Sequence, residues 1–202
     1  MAFFNRTLSF KTKGIFLTTL SITGLTSLCY YKMDDQKKIN LILDLDETLV
    51  HTKLQKLMNQ NFDSFKKYST EIDTENNHYK VWKRPYTDFM FFVLKPFCNF
   101  YMYTSATQDY ADKIIANMDW DKHFKNKMYK DDEYTQMKCK PMNKVILDED
   151  KELRTILVDD RNFNHCLTCN SKFIHIKPYS LYNNYDKEML IFPLKIIWRY
   201  YF

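Results

Sequence analysis

Residues 43–52 read LDLDETLVHT, and they continue the apolar run INLI at 39–42. A short continuous apolar stretch that stops on acids has the character of a strand buried on both faces, as in a parallel sheet. A second such run, TILV at 155–158, stops on Asp159 and Asp160. In open parallel sheets, ligands bind in the crevice beyond the carboxyl ends of the strands. Two neighbouring strands of this kind gather Asp44, Asp46, Asp159 and Asp160 in one place. Carboxylates crowded together call for a counter-charge, and hard oxygen donors suit Mg²⁺. The competing reading is that each pair is a solvated strand end capping the next helix.

Between the two runs, Pro85 opens a helix over 87–94, dense in Phe89, Met90, Phe92 and Val93. Residues 99–103 form an aromatic strand. Tyr110, Ala111, Ile114, Ile115 and Met118 share one face of a helix over 108–118. A fourth strand falls at 173–176. A last helix over 186–200 carries Pro193 inside it, which predicts a kink. Alternating strands and helices predict an α/β fold with a mainly parallel sheet. Residues 53–80 and 119–144 are polar and irregular, and read as insertions or hairpins.

The length of 202 residues suits one domain and a short appendage, and a hydrophobic fraction of 45% supports a packed core. Only two glycines occur, Gly14 and Gly24, so residues 34–202 have none. Glycine-dependent phosphate loops are thereby excluded, and turns fall to Asn, Asp and Pro. Of the net charge of +5, Arg6, Lys11, Lys13 and Lys32 contribute most, because residues 1–33 contain no acid. The remainder is near neutral, which argues against nucleic acid as a partner. Cys29, Cys98, Cys139, Cys166 and Cys169 are odd in number and widely spaced, a poor disulfide framework. Cys166 and Cys169 form a lone C-x-x-C, short of the four ligands of a structural zinc.

The chain divides into residues 1–33, a basic tail with a hydrophobic segment, and a domain at 34–202. Residues 14–31, GIFLTTLSITGLTSLCYY, are 18 residues without a charge. As a helix they would span about 27 Å, enough for a hydrocarbon core. Three readings stand: a transmembrane helix flanked by Lys13 and Lys32, a mitochondrial targeting segment, and a secretory signal peptide, the last without an evident cleavage site.

The motif D-x-D-x-T at 44–48 resembles that of the haloacid dehalogenase superfamily. Its flanks resemble the Fcp/Scp branch, the NLI-interacting-factor family that includes Dullard. KVWKRPYTDF at 80–89, YMYTSATQDYADKIIANMD at 101–119, Lys140 in KCKPMNKV, ILVDDRNFN at 156–164 and IKPYSLYNNYDKEMLIF at 176–192 follow the family's order. The resemblance covers about residues 39–200. It implies a Rossmann-like, mainly parallel sheet and a Mg²⁺-dependent protein Ser/Thr phosphatase. In that reading Asp44 is the nucleophile and Asp46 the general acid and base, with Thr48 orienting both. Thr104 and Lys140 hold the phosphoryl oxygens. Asp44, the Asp46 carbonyl and Asp160 hold the metal, supported by Asp159. Tyr86 stands where many members have glycine, and Lys144 rivals Lys140.

With its N-terminal segment the chain also resembles the receptor subunit of the mitochondrial inner-membrane presequence translocase. Two roles follow: a membrane-anchored phosphatase acting on a phosphoprotein, or a non-enzymatic subunit of a mitochondrial inner-membrane complex bound to other subunits. The basic, acid-free N-terminus favours the mitochondrial inner membrane, with the nuclear envelope and endoplasmic reticulum as the alternative. Dephosphorylation of a polymerase tail in the nucleus fits less well, because the N-terminus is hydrophobic.

Overall fold

The structure is a computed structural model, and it describes residues 37–58, 69–75, 77–130, 139–140, 154–162, 172–182 and 185–201. Residues 14–31, Lys144, Cys166 and Cys169 lie outside these. Among the described residues no helix is long and apolar enough to cross a membrane.

The central layer is a five-stranded sheet. β1 (Ile39–Leu43) lies at its middle, with every residue buried, as a strand covered on both faces requires. It pairs in parallel with β5 (Cys98–Tyr103) on one side and β7 (Thr155–Asp159) on the other. β6 (Phe124–Met128) extends the sheet beside β5, and β8 (Lys172–His175) beside β7, both also parallel. Leu43 therefore stands level with Met102 and Val158. Asp44, Thr104 and Asp160, one or two positions further along their chains, emerge at the same edge.

Three helices complete the core: α1 (Thr87–Leu94), α2 (Gln108–Asn117) and α3 (Glu188–Tyr201). One sheet face, made by Ile39, Leu41, Leu43, Phe100, Met102, Ile156 and Val158, shares a single buried cluster with all three. Phe91 anchors it, edge-on to Phe100 and Trp120 and stacked on His123. α3 runs unbroken through the buried Pro193. The missing Pro193 N–H removes one bond early in a helix whose inner face is held by Met189, Phe192 and Ile196.

A second sheet occupies much of the stretch 53–80 that was read as insertions or hairpins, and it takes the hairpin form. β2 (Val50–Leu54), β3 (Ser69–Asp73) and β4 (His78–Lys83) form an antiparallel trio with β4 central. β6 is likewise a regular strand within a stretch read as irregular. Its sequence FKNKM is polar because it is an edge, and edges carry charge.

Positive φ falls on Glu47, Tyr86 and Asp119, so two of these three turns use neither Asn nor Asp. Tyr86 has φ 65° immediately before α1. A Cβ in this conformation costs about 1–2 kcal/mol, which a glycine would not incur. Tyr86→Gly is expected to raise stability by about 1 kcal/mol, read as the midpoint of urea unfolding. The exposed Tyr86 ring is 46% accessible, so little packing is lost.

Cys98 is a buried free thiol. Cys139 is disulfide-bonded, its partner being outside the described residues.

Candidate active site

β1 delivers Asp44 directly past its last residue, and the backbone then turns sharply. Glu47 takes a left-handed φ of 59°, and its N–H and that of Leu49 bond within the turn. The turn points the Glu47 carboxylate at His51 Nδ1, 2.7 Å away, so this acid already has a partner. Arg84, just past the end of β4, braces the turn from below. Its Nη1 donates to the Thr48 carbonyl at 2.9 Å, and its Nη2 to the Lys177 carbonyl at 2.8 Å. Nη2 also pairs with Asp186 at 2.9 Å, and both side chains are fully buried.

Lys140 is the centre of charge. Its Nζ lies 2.6 Å from Asp44 Oδ1 and 2.6 Å from Asp159 Oδ2, with no exposure to solvent. Burial opposes the ammonium, but the two carboxylates outweigh it and hold the Lys140 pKa above its ordinary value. Asp44 is pushed up to about 7. Burial is the main cause; Lys140 opposes it, and Asp159 adds to it.

The carboxylate oxygens of Asp44, Asp159 and Asp160 lie within 4.8 Å of one another. Asp159 is committed on both sides, its Oδ1 accepting from the Arg161 N–H at 2.8 Å and its Oδ2 from Lys140. Asp160 Oδ1 is buried and has no hydrogen-bond partner among the described residues. An orphaned buried carboxylate oxygen beside Asp44 suits a divalent cation with oxygen ligands. Burial, then the neighbouring Asp159 charge, raises the Asp160 pKa.

The Asp46 carboxylate stands apart from this cluster, in a network that the sequence did not announce. Tyr110 Oη, from α2, donates to Asp46 Oδ1 at 2.6 Å and lies 2.7 Å from Thr52 Oγ1. The Thr52 hydroxyl is 3.2 Å from the same Asp46 oxygen. Burial raises the Asp46 pKa, partly offset by these hydrogen bonds. Burial and the Asp46 charge raise that of Tyr110. Thr48 is buried, and its hydroxyl makes no hydrogen bond among the described residues. Thr104 is buried too; its Oγ1 accepts the Ala106 N–H at 3.1 Å, which leaves its O–H to point elsewhere.

Sequence reasoning placed Tyr110 on a core-facing helix stripe and read Arg84 only as part of a junction. It did not identify Thr52 or Asp186. The one available signal was the position of Tyr110 six residues after Thr104, which returns a side chain toward the strand end.

Comparison with known proteins bears on this arrangement. An RNA polymerase II C-terminal domain phosphatase of Encephalitozoon cuniculi is 24% identical over 157 residues, 76% of this chain and 35% of its own. Human carboxy-terminal domain RNA polymerase II polypeptide A small phosphatase 2 is 30% identical over 86 residues, 43% of this chain and 30% of its own. The nuclear envelope morphology protein 1 of Saccharomyces cerevisiae is 28% identical over 90 residues, 44% of this chain and 20% of its own. The chain thus spans about a third or less of the length of these relatives. The fission yeast RNA polymerase II CTD phosphatase Fcp1 bound to beryllium fluoride superposes with a TM-score of 0.57 at 18% identity, over 87% of this chain and 49% of that one. That likeness shows a shared fold. The profile of one family matches residues 39–197, from the first strand of the sheet into its last helix, and by it the chain belongs to the NLI interacting factor-like phosphatases.

Proposed function

We propose that the chain is a Mg²⁺-dependent protein phosphatase that works through an aspartyl-phosphate at Asp44 and is held at a membrane by residues 14–31. The observation that carries the reading is the junction of Asp44, Lys140 and the orphaned Asp160 oxygen at one sheet edge, with a separately buffered Asp46 beside it.

Asp44, Asp160 and the Asp46 carbonyl would hold the metal, which supplies charge neutralisation for the phosphoryl oxygens. The protein does the rest. Asp44 attacks phosphorus, and the bond to the seryl or threonyl oxygen breaks. That oxygen leaves as an alkoxide and takes a proton from Asp46, whose burial favours the protonated form and raises its pKa. Both hydrogen bonds to Asp46 fall on Oδ1, so Oδ2 carries the travelling proton. In the second half, Asp46 removes a proton from water, the water oxygen attacks phosphorus, and Asp44 is released as carboxylate with inorganic phosphate. Lys140 and the Thr104 O–H stabilise charge on the phosphoryl oxygens in both steps.

The relatives named for RNA polymerase C-terminal domains support a phosphoprotein as substrate. One relative is named for the nuclear envelope, which supports that membrane over the mitochondrial one first favoured. The other relatives named above lend no support to the mitochondrial inner membrane.

The leaving-group test separates Asp46 from Asp44. With full-length protein in detergent micelles and saturating Mg²⁺, Asp46→Asn is expected to cost about 10²–10⁴-fold with an alkyl phosphate. The cost is smaller with a nitrophenyl phosphate, whose leaving oxygen needs no proton. Tyr110→Phe should lower kcat about tenfold with little change in KM and, because its hydrogen bond lowers the Asp46 pKa, move the alkaline limb of the kcat/KM profile to higher pH. Equal losses on both substrates for Asp46→Asn would remove the acid role from Asp46.

A further inference from the structure

α1 and α3 pack against the same sheet face, so their outer surfaces look the same way. Those surfaces are apolar. Phe89 and Phe92 on α1 are 38% and 60% exposed, and Ile191, Leu194 and Trp198 on α3 are 46%, 60% and 74% exposed. The spacings i, i+3 and i, i+3, i+7 make each set one stripe, opposite the buried stripe of its own helix. A monomer rarely leaves large apolar side chains clustered in water without a use.

The place where the chain enters the fold says what this surface meets. The Ile39 N–H bonds to the Phe97 carbonyl at 3.0 Å, and the Tyr201 hydroxyl bonds to that same carbonyl at 2.6 Å. Lys37, where the described residues begin, therefore lies near Tyr201 at the C-terminal end of α3, three residues beyond Trp198, at the sheet edge opposite Asp44. Five residues, 32–36, separate the uncharged segment 14–31 from Lys37, a reach of at most about 18 Å. Ile191 to Trp198 is about 10 Å of helix. Lys95, Arg199 and Lys37 are exposed at this end, whereas at the other end Asp88 pairs with Lys83, and Glu188 stands beside the exposed Lys187 with Lys195 3.7 Å away.

We propose that the outer face of α1 and α3 rests on the surface of an anionic lipid bilayer, with Trp198 at the headgroup level. The proposal rests on residues 14–31 being the membrane segment. Aromatic and aliphatic side chains bordered by Lys and Arg are the composition of an interfacial surface, and the basic fringe attracts anionic headgroups. On the bilayer, this face holds Asp44 and its crevice away from the lipid, open to a protein substrate.

The indoles make the test direct. Of the three tryptophans, Trp82 and Trp120 are buried, so Trp198 is the one a lipid quencher can reach. Full-length protein is reconstituted into phosphatidylcholine–phosphatidylserine vesicles, with and without lipids brominated high on the acyl chain. The expected result is flotation with the vesicles and loss of the Trp198 component of emission in brominated lipid. That loss should be absent in Trp198→Phe and strongly reduced in Phe92→Ser/Leu194→Ser, with both variants still floating and keeping the near-ultraviolet circular dichroism of the fold. Protein that floats while Trp198 emission is the same in both lipids overturns the proposal alone, and assigns the face to a protein partner or a second copy. Protein that fails to float overturns the membrane reading of residues 14–31 and this proposal with it.

Discussion

Asp44→Asn is expected to lower phosphatase activity by about 10⁴-fold or more, measured on an aryl phosphate with full-length protein at saturating Mg²⁺. A neutral amide is no nucleophile, and the substitution also removes one carboxylate from the Asp44, Asp159 and Asp160 cluster. It leaves Lys140 paired with Asp159 alone. The fold should survive, because Asp44 lies past the end of β1 and one carboxylate still faces the ammonium. In the wild type, pH gives a second readout. Asp44 is raised from 3.8 to about 7, so below about 7 the metal-free site holds a proton there. A cation must displace that proton. Apparent Mg²⁺ affinity is expected to fall about tenfold per pH unit below about 7 and to level off above it, followed by calorimetric titration. If wild type and Asp44→Asn are equally inactive while both are folded, the catalytic reading fails and the non-enzymatic role takes its place.

Breaking the Arg84–Asp186 pair is expected to be the most damaging single change to stability. Both side chains have zero exposure, and they join residues 102 positions apart. Asp186→Ala strands a buried guanidinium, which costs about 3–5 kcal/mol. In a chain of this size that lowers the melting temperature by about 10 °C. The loss should reach the site as well, because the same guanidinium braces the Thr48 carbonyl. A fall in kcat beyond the loss of folded protein is therefore expected. Asp186→Asn, which keeps an acceptor, should recover part of it. A stability change under about 1 kcal/mol would show that the pair is not the brace described.

The acid-terminated strands were readable because burial on both faces and the abrupt switch to Asp are local properties of the chain. Helix 87–94 and strand 155–159 could be placed from Pro85 and from an unbroken apolar run. Of the antiparallel trio, only a hairpin within residues 53–80 was readable, as one of two alternatives. VHTKL, STEID and HYKVWK are polar and short. Their strand character comes from pairing, in which Thr52 and Thr70 both align with Val81.

The family, the order of its motifs and the acids that gather at the sheet edge are each written in a contiguous stretch of chain, so they can be read before any folding is known. What those acids touch is a property of the folded molecule. Lys140 comes to Asp44 across 96 residues, and Tyr110 to Asp46 across 64. A side chain's partner at that separation depends on how strands and helices stack, and no local period encodes it. The same holds for charge. Asp44, Asp46 and Asp160 look alike in the chain, and it is burial, with the neighbours each acquires on folding, that sets apart the proposed nucleophile, the proposed proton carrier and the candidate metal ligand.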